Sequence, residues 1–169
     1  FNVPLAVANA LGASMIPGLV RAVESEDRKL IHNRIYMAVR YTMLIAIPSA
    51  FGLFAIGKPI MDFIWPSLDN TVPGTMFRIG AVSLVFYSLS TVMNAVLQGA
   101  NRMMKPVKNA TISLVMHIVS LFIMLVVFKW GIYSLIVSKI IFSLCMCIMD
   151  SHDIREAVGY VQEQQKSFV

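Results

Sequence analysis

Six polar side chains set the first constraint on this chain. Ser83, Tyr87, Ser90, Asn94, Gln98 and Asn101 recur at steps of four, three, four, four and three inside an otherwise apolar run. On a helix turning about 100° per residue they occupy roughly a quarter of the circumference. Val82, Leu84, Val85, Phe86, Leu89, Val92, Met93, Val96 and Leu97 cover the other faces. An uncharged polar stripe on an apolar helix must face other helices or a water-filled cavity, because an unsatisfied amide in hydrocarbon is costly. Hydroxyls and amides can also hold helices together, so helix glue and cavity wall both stand as readings. A second stripe follows: Asn109, Ser113, His117 and Ser120, at steps of four, four and three. In an antiparallel hairpin it lies level with Asn94, Gln98 and Asn101, and the two stripes can line one polar region.

Groups that make or break bonds are missing from the sequence pattern. There is no Gly-rich phosphate loop, no metal-ligand spacing and no nucleophile-elbow serine. His32, His117 and His152 are far apart, and His117 reads most simply as a hydrogen-bonded packing residue. Cys145 and Cys147 point to different faces of an apolar helix, which indicates neither a disulfide nor a metal pair. No catalytic residue, metal or cofactor is assigned. No Asp or Glu is expected mid-span, so a carboxylate that carries coupling protons or sodium is not expected here.

The elements that position the stripes follow from composition. Hydrophobic residues make up 57% and charged residues 14%, against about a quarter charged in soluble domains; the mean hydropathy is +0.73. The net charge of +5 is gathered in loops without interleaved aromatics, which argues against a nucleic-acid partner. The class is all-α, a polytopic membrane bundle of about five spans: 2–22, 35–56, 75–101, 107–128 and 132–149. Within the first, Gly12, Ala13 and Ser14 allow close approach, and Asn9 is the strong polar group at depth. Arg21 to Arg40 reads as an amphipathic surface helix running into the second span, where Pro48 and Gly52 mark a kink and a close contact. Residues 57–74 read as a loop with a short helical turn over 60–65. Ser134 and Ser138 form a small-x-x-x-small pair in the fifth span. Lys139 is the ammonium well inside a span, where it must face a cavity or snorkel. Residues 150–169 read as an amphipathic tail, or a connector to further spans. The chain opens at Phe1 already within an apolar run, which reads as a piece of a longer protein.

Lys and Arg placement sets orientation. The basic segments 21–40 and 102–108 and the tail fall on one side if five spans alternate, leaving Lys58, Lys129 and Arg78 on the other. The basic side is expected to be cytoplasmic.

Several runs then line up in order: Asn2-Val-Pro-Leu-Ala, Ser14-Met-Ile-Pro17, Ile45-Ala-Ile-Pro48-Ser-Ala-Phe-Gly52-Leu, and Asn94-Ala-Val-Leu-Gln98-Gly99-Ala-Asn101-Arg102 followed by Lys105-Pro106-Val-Lys-Asn109-Ala. Together they resemble the polysaccharide-biosynthesis and stage V sporulation protein B-like flippases of the multidrug/oligosaccharidyl-lipid/polysaccharide exporter superfamily. The resemblance covers nearly the whole chain. It implies a segment of the second six-helix lobe of a larger transporter, with the N-terminal lobe as its partner. It implies movement of lipid-linked oligosaccharide or peptidoglycan precursors across the cell membrane by alternating access, without covalent chemistry. On that reading Tyr87, Asn94, Gln98, Asn109, His117 and Lys139 face the substrate cavity, with Asn9 as a further candidate. Asn and Gln would bond sugar or amide groups, and Lys139 would attract phosphate charge. The first span has no Arg before Arg21, which departs from the basic cavity lining such flippases carry. A cation-coupled multidrug exporter of the same superfamily and a non-transporting membrane scaffold are the alternatives.

Overall fold

In a computed structural model the chain forms α1 (Asn2–Glu24), α2 (Arg28–Ile64), α3 (Thr71–Gly99), α4 (Met104–Val126) and α5 (Tyr133–Ser167). The structure describes residues 2–25 and 27–167, with side chains left out at 2–4, 7, 8, 11, 28 and 158–167. The tail side chains Tyr160, Glu163 and Lys166, and Phe168 itself, therefore lie outside the described residues. Among the described residues, four stretches are long and apolar enough to cross a membrane: Lys29–Ile64, Thr71–Gly99, Met104–Val126 and Tyr133–Ala157. Several side chains of α1 fall outside the description, and it is not one of the four.

Each helix end has a local cause. The Asp27 carboxylate accepts from the backbone N–H groups of Lys29 and Leu30 at 3.0 and 3.2 Å, capping α2. The surface segment and second span are thereby one helix. α2 also runs on to Ile64, through part of the expected loop. Pro59 removes only its own N–H from the ladder, and the helix ends where the Asn70 amide donates to the carbonyls of Met61 and Trp65 at 3.2 and 2.9 Å. Pro73 is tolerated because it lies in the first turn of α3, where an N–H has no intrahelical acceptor. The end of α3 is a Schellman turn: Arg102 N donates to Leu97 O at 2.9 Å and Asn101 N to Gln98 O at 3.1 Å, with Asn101 at φ +59°. Asn101 thus terminates the helix, whatever its place in the stripe.

α3 is the central helix. It packs against α1, α2 and α5, while α4 leans chiefly on α5. Buried Leu19, Ala22, Ile31 and Val96 form one cluster, and Ala50, Ala81 and Leu84 another. Small residues set the α1–α3 approach, since a Cβ on Gly12 would meet the Ala95 Cβ at 3.0 Å. Gly52 differs from expectation: a Cβ there meets nothing within 4 Å, so it marks no close contact. Ser134 and Ser138 are both buried, as small residues in a helix seam should be. The outer faces of α2 and α4 expose Phe51, Phe63, Ile118 and Phe122, surface suited to lipid or further helices.

Candidate functional site

The two polar stripes do not face each other directly. α5 lies between them, and they meet on its carboxylates. From α3, Ser90 Oγ donates to Asp150 Oδ2 at 2.5 Å. The Asn94 amide, assigned with its nitrogen toward the carboxylate, donates to both Asp150 oxygens at 3.2 and 3.3 Å. From α4, Asn109 Nδ2 donates to Asp150 Oδ1 at 3.0 Å and to Asp153 Oδ2 at 2.7 Å. Lys105 Nζ completes the outer edge, 2.8 Å from Asp153 and 3.0 Å from Glu156. Ser90 and Asp150 are 0% exposed and Asn109 is 2% exposed. A buried polar network of this kind is stable only when its members are satisfied.

The expected fifth span and tail are one helix. α5 continues without a break past Met149, so Asp150 lies in the helix, at the end of its apolar part, one turn before Asp153 and two before Glu156. Asp150 therefore belongs to the packed part of α5 and not to a separate tail. A signal was available: Ser143, Met146, Asp150, Asp153 and Ala157 recur at steps of three, four, three and four. All five are buried. Such a line is the inward face of one continuous helix. Two carboxylates on it need donors from neighbouring helices.

Of the expected cavity residues, Asn94 and Asn109 are brought together around Asp150. Tyr87 and His117 converge on another α5 residue, Phe142, with ring centroids 6.3 and 5.7 Å from it. His117 Nδ1 is buried without a hydrogen-bond partner, as are the hydroxyls of Ser88, Ser113 and Ser134. Polar atoms left this way call for a water or a further polar group. Gln98 is exposed, one turn beyond Asn94. Lys139 is exposed on α5, about 16 Å of helical rise from Asp150, and is not part of the network. Asn9 is exposed on α1 and also stands apart. Lys105 holds two of the acidic groups near the turn, which makes that cluster an ion-pair network, and no metal ligand is assigned in it.

A separate cavity of about 480 Å³ opens at one end of the bundle. Leu19, Val23, Ile31, Ile35, Val96 and Ile154 line it, with Lys29 and His32 also contributing. Its lining draws on the α1–α2 junction, the end of α3 and the later part of α5, so the three basic segments share one end of the bundle. None of the seven expected cavity residues lines it.

The sequence model of the family described as "Lipid II flippase MurJ" matches residues 1–166. Among curated proteins, the chain is 27% identical over 119 residues to the lipid II flippase MurJ of Bacillus subtilis (strain 168), covering 69% of this chain and 21% of that protein. It is 24% identical over 154 residues to the probable lipid II flippase MurJ of Bdellovibrio bacteriovorus, covering 88% and 29%. The chain therefore spans less than a third of the length of these relatives. In fold it is similar to the eukaryotic MATE transporter AtDTX14, with a TM-score of 0.79 at 14% identity, covering 95% of this chain and 38% of that one. That likeness supports the expected all-α helical bundle as a fold. The motifs from Asn94 to Asn109 pointed to the right superfamily, although the sporulation-protein branch is not singled out by the matches. With a family model matched along nearly its whole length, the chain belongs to the lipid II flippase MurJ family.

Proposed function

We propose that this chain is the later part of the second lobe of a transporter that moves a lipid-linked oligosaccharide or peptidoglycan precursor across the cytoplasmic membrane. The observation that carries this reading is the family match over residues 1–166. The relatives it matches are named as lipid II flippases, and a lipid-linked precursor with a polar head is the substrate class this suggests. The mechanism is alternating access between this lobe and an N-terminal lobe, with no bond made or broken.

The cavity wall is formed by the polar faces of α3 and α4 and the adjoining face of α5: Tyr87, Asn94, Gln98, Asn109, His117 and Lys139, with Asn9 on α1. Gln98 and Lys139 are exposed and able to meet a sugar or phosphate group. Tyr87 and His117 flank Phe142 and offer hydrogen bonds beside an apolar surface. Asn94 and Asn109 are committed to Asp150 and shape the wall. The five helices cross the membrane with the basic end, at 21–40, 102–108 and later α5, in the cytoplasm.

The test uses the full-length protein in a background lacking Cys145 and Cys147. Gln98, Tyr87 and Lys139 are replaced in turn by Cys and exposed to a membrane-impermeant thiol reagent. Labelling that changes when a lipid-linked precursor is supplied is the expected result. Protection at every position in all conditions would overturn the cavity and favour a scaffold. A second reading, a cation-coupled exporter, gains support from one feature: Asp150 supplies a fully buried carboxylate at the end of the apolar part of α5.

A further inference from the structure

A buried carboxyl group can serve as a proton-binding site only if its surroundings can satisfy it both with and without the proton. Asp150 meets that condition. In the ionised form it accepts from Ser90 Oγ, Asn94 Nδ2 and Asn109 Nδ2. When Oδ2 is protonated it becomes a donor of one hydrogen bond, and Ser90, its nearest α3 partner, can reverse. The Ser90 hydroxyl rotates to accept, while the Asn94 amide goes on donating to Oδ1. Asn109 need not change, because it bonds the other oxygen, Oδ1, and is held in place by Asp153.

The groups facing Asp150 are neutral, and charge lies only farther out. On α3, Tyr87 is the titratable residue one turn before Ser90. On α4, Lys105 is tied to Asp153 and Glu156, and His117 lies two turns beyond Asn109. On α5 itself, Cys147 precedes Asp150 by one turn, while His152, Asp153 and Glu156 follow. No ammonium or guanidinium contacts the Asp150 carboxyl among the described residues. A permanent ion pair, of the kind Asp153 makes, would resist protonation; a carboxyl held by reversible neutral dipoles does not.

We infer that Asp150 is a proton-binding site, at which uptake of one proton reverses the hydrogen bond between Ser90 on α3 and Asp150 on α5. The proton comes from water and returns to water, with Oδ2 gaining and losing the O–H bond. Toward the basic end, Asn109 links Asp150 to Asp153, which pairs with the partly exposed Lys105. For its purpose, coupling proton occupancy to movement of the lobe, the inference rests on the transporter reading above. The site itself does not depend on that reading.

The experiment is an infrared pH titration of the full-length protein in lipid nanodiscs with carboxyl-labelled aspartate. The expected result is a carboxylic-acid carbonyl band that titrates reversibly and is lost in Asp150→Asn. Ser90→Ala keeps the carboxyl and removes one donor to its ionised form. It should shift the midpoint upward by about one pH unit, which keeps the test sound if Asp150→Asn does not fold. A wild-type band unaffected by Asp150→Asn, or a midpoint unmoved by Ser90→Ala, would overturn the inference. No precursor is present in this measurement. Its failure therefore leaves the flippase reading untouched, whereas absent transport with an intact band would count against the flippase reading alone.

Discussion

Replacing Asn109 by alanine removes a side chain that touches two carboxylates of α5 at once. Its amide donates at 3.0 Å to Asp150 and at 2.7 Å to Asp153, and the residue is 2% exposed. Hydrogen bonds to charged groups contribute about 1.5–3 kcal/mol each in soluble proteins. Interhelical bonds in bilayers average about 0.6 kcal/mol and reach about 1.7, because the unfolded chain in a membrane also finds partners. The bilayer scale applies here, so the two bonds sum to about 1–3 kcal/mol. Neither carboxylate is orphaned, since Asp150 keeps Ser90 and Asn94 and Asp153 keeps Lys105. That holds the loss within this range. Reversible unfolding of the full-length protein in mixed micelles measures it directly. Asn109→Asp should be worse than Asn109→Ala, because it sets a third carboxylate against two. A loss below about 0.5 kcal/mol for alanine, the level of an ordinary surface change, would refute the reasoning. So would equal tolerance of aspartate.

Other substitutions follow from the same geometry. Ser113→Ala deletes a buried hydroxyl that bonds nothing, so it should leave stability unchanged or raise it in the same unfolding assay; a loss above about 1 kcal/mol would reveal a bound partner. Gly12→Ala should destabilise by about 1–3 kcal/mol, because its Cβ meets Ala95 at 3.0 Å. Gly52→Ala, in open space within a helix, should stabilise by about 0.5–1 kcal/mol. Asn101 sits at φ +59°, so Asn101→Gly should be neutral or better while Asn101→Val costs about 1–2 kcal/mol; thermal denaturation of the pair separates helix termination from substrate contact.

How much of this was legible in the sequence depended on which force sets each feature. The apolar helices and both polar stripes follow from periodicity, and periodicity survives folding unchanged. Asn94 and Asn109 could be paired from register alone, because a short turn fixes how α3 and α4 run back along each other. Their shared partner is hidden, because an Asp followed by further charged residues looks like the start of a solvated tail. Asp150 belongs to the line through Ser143, Met146, Asp153 and Ala157, and hydrogen-bond donors on two other helices are what make its burial possible. The far end of α2 is hidden for a related reason. Pro59 looks like a break, but a single proline costs one ladder bond, and the Asn70 amide closes the helix beyond it. The charge of Lys139 marks it in the sequence; its exposure on α5 sets it apart from the Asp150 network.

The central claim is transport, and it is tested most directly with the full-length protein in proteoliposomes. A fluorescent lipid-linked precursor is loaded, and the accessibility of its polar head to an external modifying enzyme is followed over time. Head groups that become accessible faster than in protein-free vesicles, with the rate reduced by Gln98→Leu, are the expected result. A rate equal to that of protein-free vesicles, from protein that is folded and correctly inserted, would contradict the account.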